Sequence, residues 1–415
     1  MKIAFKTIGC KLNQYDSQLL REMAENGSFH ITSFNDPSDV YIINTCSVTM
    51  NALQQSRNSV RRARKRSKTA KIIVTGCFPE ELREQLTEVD LFVPHTEGIQ
   101  FFSDLFSSET TQITRFDNHT RPFVKIQTGC NKFCTYCIVP HLRGQEKSRP
   151  LEDIISEVRS LSQNGYKEIS LTGVHIGRYF DRDKNLSDVL KEIESIEGIQ
   201  RIRLGSLNPE EINDTLISTV SSSKKICHHF HISLQSADEK ILRAMGRNYS
   251  PEYLSERIET LERVIPECGI GADIITGFPS EGMEEFMNTY SFIERMPFSY
   301  LHVFRYSPRK STLAAILPNP VKESQKKKRS GQLIDLGLKK SIEFRQRYIG
   351  SQLTVLIEQK RDRNTNMMVG FSSNYIRVLV PEEIHCSNQF VDVSIESISG
   401  YDTFAQIHEH ESEKE

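Results

Sequence analysis

The chain has 415 residues with Lys+Arg 53 against Asp+Glu 54, a net charge of −1, so bulk charge names no partner. That length asks for two or three domains, and 37 % hydrophobic against 26 % charged residues fits folded cores rather than disorder. No stretch reaches the ~18 apolar residues of a membrane span. Nine cysteines without an apolar signal region behind Met1–Lys6 argue against a disulfide framework. The expectation is a cytoplasmic protein whose clustered cysteines hold metal or do chemistry.

Residues 1–115 read as an open α/β domain. Lys2–Ile8, Val40–Asn44 and Ile72–Thr75 have the short apolar pattern of buried parallel strands, and Tyr15–Glu25 has helical spacing. Each strand ends on a cysteine: Ile8-Gly9-Cys10, Ile43-Asn44-Thr45-Cys46 and Thr75-Gly76-Cys77. Ligands of open α/β sheets sit off the carboxyl ends of the strands, so three distant cysteines can converge there.

A polar stretch around Phe106–Pro122 marks a boundary, and residues 116–345 alternate again. Val124–Gln127, Glu168–Thr172, Arg201–Leu204, His229–Leu234, Ile270–Thr276 and Tyr300–Arg305 are strand-like. Leu151–Gln163, Leu186–Ile196, Pro251–Val264 and Met283–Arg295 are helical. Six strands with intervening helices predict a partial (βα)6 barrel, with Gly173, Gly205 and Gly277 leaving room for a ligand at its mouth. Lys322–Arg347 is a basic helical connector. Residues 346–410 predict a small β-barrel from Gln352–Glu358, Met367–Phe371, Ile376–Val380 and Val391–Ser397, and the acidic tail from His408 reads as disordered.

The strongest chemical signal is Gly129-Cys130-Asn131-Lys132-Phe133-Cys134-Thr135-Tyr136-Cys137, directly after the first barrel strand. Three thiolates are one short of a closed zinc site and suit an iron–sulfur cluster with one iron left open at the barrel mouth. A structural zinc and a coincidental trio are the alternatives. Cys10, Cys46 and Cys77 by themselves read as ordinary buried residues as readily as ligands, whereas Cys227, Cys268 and Cys386 read as ordinary residues.

The C-x3-C-x2-C run on the first loop of a partial βα barrel resembles the radical S-adenosylmethionine superfamily. In that family the open iron chelates the methionine part of the cofactor, and an electron from the 4Fe-4S cluster yields a 5′-deoxyadenosyl radical. The resemblance places Tyr136 near the adenine. It makes Thr172, Gly173, Ser206, Gln235 and Arg247 candidate cofactor contacts. Gly9-Cys10-Lys11-Leu12-Asn13-Gln14-Tyr15-Asp16, Asn44-Thr45-Cys46-Ser47 and Thr75-Gly76-Cys77 look like the three motifs of the methylthiotransferases. In that family these cysteines hold a second 4Fe-4S cluster that carries the sulfur to be inserted. The C-terminal barrel, with Val369-Gly370-Phe371 and Asn374-Tyr375, is similar to the TRAM domain of these enzymes. The residues after Cys10, with Leu171–Gly177 and His302–Ser307, look most like the MtaB branch, which acts on N6-threonylcarbamoyladenosine (t6A) beside the tRNA anticodon. Leu12, Ala237 and Ser280 depart mildly from its pattern.

The resemblance implies S-adenosylmethionine and two 4Fe-4S clusters as cofactors. It also implies a tRNA anticodon stem-loop as substrate, a reductant such as flavodoxin or ferredoxin, and a sulfur donor. Such chemistry suits carbon 2 of adenine, whose strong C–H bond has no leaving group and calls for a radical. Arg57–Lys71 holds eight basic residues and no acid, and Lys322–Arg347 nine basic against three acidic, which points to RNA phosphates. Phe371 and Tyr375 are candidates for stacking on bases or, equally, for core packing, and Asp273 is either a substrate contact or a satisfied strand-end acid. The rival readings are methylthiolation of isopentenyladenosine or of a ribosomal-protein aspartate, and a non-catalytic iron–sulfur RNA-binding protein.

Overall fold

A computed structural model describes residues 1–381 and 386–408. The expected disorder of the acidic tail falls outside those residues beyond His408. No helix among the described residues is long and apolar enough to cross a membrane.

The N-terminal sheet has five parallel strands in the order His30–Thr32, Lys2–Thr7, Val40–Thr45, Lys71–Gly76, Leu91–Phe92. The three inner strands are the ones their apolar runs predict; the two edge strands are too short to show a pattern. The strand order reverses between Lys2–Thr7 and Val40–Thr45, which opens a crevice at their carboxyl ends. Helix Lys11–Asn26 buries Leu12, Tyr15, Leu19, Leu20 and Met23, the i, i+3, i+4 stripe that folds it onto its neighbours.

In the central domain Phe123–Lys125, Glu168–Thr172 and Arg201–Arg203 pair in parallel, as do Ser206–Leu207, His229–Gln235, Gly269–Thr276 and Tyr300–Arg305. The third strand position is split at Gly205. The result is an open six-position barrel in chain order. Apolar residues such as Ile169, Ile202, Ile232 and Ile270 face the helices and are 0–1 % exposed, while their alternate neighbours face the lumen. The N-terminal domain meets both margins of the opening. Helix Lys11–Asn26 packs on Phe123–Lys125, and Arg309, beyond the last strand, donates to the Val48 carbonyl at 3.0 Å.

The glycine expectation is corrected. A Cβ at Gly173 would lie 2.7 Å from Ile176 Cγ2, one at Gly205 2.9 Å from the Leu171 carbonyl oxygen, and one at Gly277 2.3 Å from Lys326 Cγ. The room these glycines leave is taken by the protein itself.

After helix Glu323–Gln346 the chain closes a five-stranded barrel: Gln352–Arg361, Met368–Ser372, Arg377–Val380, Asp402–Ile407 and Phe390–Ser399 in spatial order. Asp402–Ile407, polar at half of its positions, is the strand that sequence reading missed. This barrel caps the amino-terminal end of the central one. Arg201 donates to the carbonyls of Phe371 and Thr354, both at 3.0 Å, and Arg203 to those of Ser372 at 3.0 Å and Ser373 at 3.2 Å. Tyr375 stacks on His229 with centroids 4.5 Å apart, and Arg121 sits 4.5 Å from the Phe371 ring. The two aromatics considered for base stacking are therefore committed to an interdomain contact.

Candidate active site between two cysteine trios

Cys10 is the N-cap residue of helix Lys11–Asn26, and its side chain makes no capping hydrogen bond. The thiol is left free, and the helix N-terminus favours negative charge there. Gly9, at φ +103°, brings the first loop against the second: a Cβ there would lie 2.5 Å from Cys46 Cβ. Asn13 ties the loops together, donating to the carbonyls of Ile8 at 2.8 Å and Thr45 at 2.7 Å. The backbone N–H of Cys77 donates to the Thr45 carbonyl at 3.0 Å, and the Ser47 hydroxyl to that of Cys77 at 2.8 Å. Three strand ends thus converge on one crevice.

The second trio lies on one loop. Gly129, at φ +71°, turns the chain into it, and a Cβ there would sit 1.9 Å from the Gln145 carbonyl oxygen. Gln127 pins this turn to the neighbouring strand end. Its amide donates to the Gly129 carbonyl at 2.9 Å and accepts from the backbone of Val174 at 3.0 Å and His175 at 2.8 Å.

Burial pushes the Cys46 thiol up to about 11 and the Cys137 thiol up to about 12, with neighbouring thiols adding to it. Cys77 and Cys130 move upward for the same first reason. Burial of this kind costs the free thiolate, a cost that a bound cation would offset. A single zinc would hold its sulfurs ~3.8 Å apart. Among the described residues neither trio brings three sulfurs within 4.8 Å of one another.

Arg143 joins the two trios, and sequence reading missed it. It sits on the short helix Val139–Arg143 that follows Cys137, and its Nε donates to Cys77 Sγ at 3.2 Å. A guanidinium within the next two helical turns has no local signature; the role depends on a cysteine far away in the chain. Asp16 lies 3.3 Å from Arg143 and 2.7 Å from Lys125. Burial alone would raise its carboxyl, but Lys125, His95 and Arg143 hold it well below the carboxylate range. His95, beside Asp16, is pushed down to about 4 by burial, with Arg143 and Lys125 adding to it.

A cleft of about 930 Å³ opens where the two domains meet. Val48, Met50 and Asn51 from the N-terminal domain face Tyr136, Cys137, Gln235, Asp273, Phe304 and Arg309 from the barrel. Of the candidate cofactor contacts, Tyr136 and Gln235 line this cleft. Arg247 reaches it through Tyr136, donating to its hydroxyl at 2.6 Å. Thr172, Gly173 and Ser206 lie at neighbouring strand ends, off the cleft lining. Asp273 is in the cleft wall, held 2.9 Å from His231 Nε2 and 3.4 Å from His302 Nδ1, contacts that draw its carboxyl down to about 2 against the effect of burial. Cys227, Cys268 and Cys386 are buried elsewhere.

The basic runs divide. Arg64 bonds to three backbone carbonyls and Asp90, and Arg66 to Asn35. Lys326, Arg329 and Arg345 are buried in structural contacts with Tyr306, Glu281 and Gly400. Arg61, Arg62, Lys65, Lys68, Lys327 and Lys328 remain exposed.

A model of the Radical SAM superfamily matches residues 124–293, and one described as Uncharacterized protein family UPF0004 matches residues 2–95. Threonylcarbamoyladenosine tRNA methylthiotransferase MtaB of Aquifex aeolicus is 38 % identical over 388 residues, 87 % of this chain and 94 % of that one. The Bacillus subtilis protein of the same name is 35 % identical over 91 % of this chain and 90 % of its own. A tRNA-2-methylthio-N(6)-dimethylallyladenosine synthase of Desulfitobacterium hafniense is 30 % identical over 98 % of this chain and 97 % of its own. Among solved structures, the radical S-adenosylmethionine methyltransferase TsrM of Kitasatospora setae superposes with a TM-score of 0.57 at 13 % identity, covering 76 % of this chain and 77 % of that one, a likeness of fold.

Proposed function

The chain belongs to the radical S-adenosylmethionine methylthiotransferases, and we propose that it converts t6A beside the tRNA anticodon to its 2-methylthio derivative. The observation that carries this reading is the cleft walled on one side by the loop after Cys46 and on the other by Tyr136 and Cys137. Curated relatives of this length and likeness that bear the t6A name support the substrate.

Cys130, Cys134 and Cys137 would hold one 4Fe-4S cluster, and Cys10, Cys46 and Cys77 a second. With S-adenosylmethionine bound, these groups supply the one-electron and sulfur chemistry that an unactivated aromatic C–H bond requires. The protein's own contribution is placement. Exposed Val48, Met50 and Phe304 offer apolar surface for a flipped-out base. Arg247 anchors Tyr136, so the ring stands fixed beside Cys137. Arg143 places a buried positive charge against Cys77 Sγ, which opposes the upward push of burial on that thiol. The Gln127 amide fixes the Gly173–His175 loop against the first cysteine loop. Exposed Arg61, Arg62 and Lys65 on helix Met50–Arg66, whose first residue lines the cleft, face outward to meet phosphates. A cytoplasmic location, a flavodoxin- or ferredoxin-type reductant and a separate sulfur donor complete the proposal.

Mass spectrometry of tRNA nucleosides from cells with and without the gene tests it. The expected result is loss of 2-methylthio-t6A alone, with t6A accumulating. Loss of the methylthio derivative of isopentenyladenosine instead would move the enzyme to the sister activity.

A further inference from the structure

Each cysteine trio has a polar side chain that reaches one of its sulfurs: Arg143 at Cys77, and His175 at Cys130. His175 lies on the loop after strand Glu168–Thr172 and is 1 % exposed. Its Nδ1 stands 3.8 Å from Cys130 Sγ, within hydrogen-bonding range for sulfur. The Lys132 backbone N–H meets the same sulfur at 3.4 Å.

The ring is held from several sides. The His175 backbone N–H donates at 2.8 Å to Gln127 Oε1, whose amide also holds the Gly129 turn. Nε2 contacts the Glu211 carboxyl. Glu211 in turn accepts from the Asn208 backbone at 3.0 Å and from the Asn208 amide at 3.2 Å. Glu210, on the same short turn Pro209–Glu211, pairs with Lys132 at 2.5 Å and ties that turn to the cysteine loop. Gly177 lets the carboxyl come this close, since a Cβ there would lie 2.3 Å from Glu211 Oε2. These constraints together aim one ring nitrogen at one sulfur.

The place of the ring proton follows from the two neighbours. An iron-bound thiolate only accepts, so Nδ1 must carry the hydrogen for the contact to be favourable. Nε2 is then an acceptor, which calls for a proton on the facing carboxyl. Burial pushes that carboxyl up to about 7, against the hydrogen bonds from Asn208, so it can supply one.

We propose that His175 is a positioning residue that donates Nδ1–H to Cys130 Sγ and raises the reduction potential of the barrel cluster, with Glu211 orienting the ring. This step rests on the reading that Cys130, Cys134 and Cys137 hold that cluster. An added electron places further negative charge on the sulfurs. A donor aimed at one of them therefore stabilises the reduced form more than the oxidised one. Burial of the ring strengthens the contact by excluding competing water. Electron entry is eased at the cluster that must be reduced before S-adenosylmethionine is cleaved.

The test is an EPR-monitored redox titration of the anaerobically reconstituted holoenzyme. The barrel cluster is recognised there by the change in its signal on adding S-adenosylmethionine. At unchanged iron content, His175→Leu is expected to lower the reduced-to-oxidised ratio of that cluster about 10-fold at a given potential, or ~59 mV for a one-electron couple. His175→Asn, whose amide N–H can stand in for Nδ1–H, is expected to recover most of the shift. Glu211→Ala frees the ring and is expected to give a smaller shift in the same direction. An unchanged potential in His175→Leu overturns the inference. An equal shift in His175→Leu and His175→Asn also overturns it, since the bulk of the ring alone would then be at work. Where His175→Leu loses its barrel iron, wild-type protein carrying histidine labelled with the heavy nitrogen isotope decides. Pulsed EPR of the reduced barrel cluster is expected to show a coupling to a histidine nitrogen that His175→Asn lacks, and its absence overturns the inference. Failure of the underlying reading looks different: no signal of the wild type would respond to S-adenosylmethionine.

Discussion

The two cysteine trios arrive at the same ligand count by opposite routes. The barrel trio is local: eight residues on one loop, turned by Gly129 and pinned by Gln127. The N-terminal trio is assembled by tertiary structure, from three parallel strand ends locked by Asn13, Ser47 and backbone bonds between loops. A local loop can bind metal early and tolerate movement of the rest. A site made of three strand ends exists only when the sheet is formed, and Arg143 makes it depend on the barrel as well. The two centres are therefore expected to differ in how they fail.

The largest difference is chemical. Cys134→Ala is expected to abolish both 5′-deoxyadenosine formation and product, by ~1000-fold or more, the scale on which a lost catalytic centre falls. Cys46→Ala is expected to abolish product while leaving 5′-deoxyadenosine formation measurable; chromatography of single-turnover reactions separates the two. Next comes Gly129→Ala, which forces a Cβ onto the Gln145 carbonyl in a left-handed conformation. A loss of roughly 2–4 kcal/mol should appear in denaturant unfolding, with barrel iron lost first.

Arg143→Met should act on the other centre. It removes the donor to Cys77 Sγ and also the guanidinium donor to Asn13 Oδ1 and Asp16 Oδ2, leaving both short of a buried partner, a cost of about 2–3 kcal/mol. The measurement is differential iron retention under chelation, with the N-terminal centre depleted first. A smaller effect comes from His95, whose folded pKa of about 4 lies below the unfolded value near 6.5. The unfolded chain takes up this proton first as pH falls, so stability is full above about pH 6.5 and declines between about 6.5 and 4. Roughly 2 kcal/mol should be lost between pH 7 and 5, and His95→Gln should flatten that part of the profile. Smallest is Arg61→Ala with Lys65→Ala, expected to weaken tRNA binding a few-fold and lower the salt slope by about one per charge.

How much of this could be read from the sequence follows the same division between local and assembled features. Leu151–Gln163, Pro251–Val264 and Tyr300–Arg305 were legible to the residue because their periodicity is strong and their ends are marked by Pro, Gly or a charge change. Cys130, Cys134 and Cys137 form a pattern within one loop. Cys10, Cys46 and Cys77 could be connected through their strand-end positions, and family resemblance strengthened that link. Arg143 could not, because its partner Cys77 is 66 positions away. Phe371 and Tyr375 stayed ambiguous for a related reason: an aromatic on a small barrel has the same local pattern whether it faces RNA or, as here, the base of another domain. The basic runs were only half informative, since Arg64, Arg329 and Arg345 are spent on backbone carbonyls and internal ion pairs.

The most direct test of two independent cluster sites sharing one cleft is Mössbauer spectroscopy with iron quantification on the wild type and two triple Cys→Ala variants, one per trio. About eight irons are expected in the wild type and about four in each variant, with the two variant spectra summing to that of the intact protein. A wild type that holds about four irons, or zinc alone, or loses all of its iron with either trio, would contradict it.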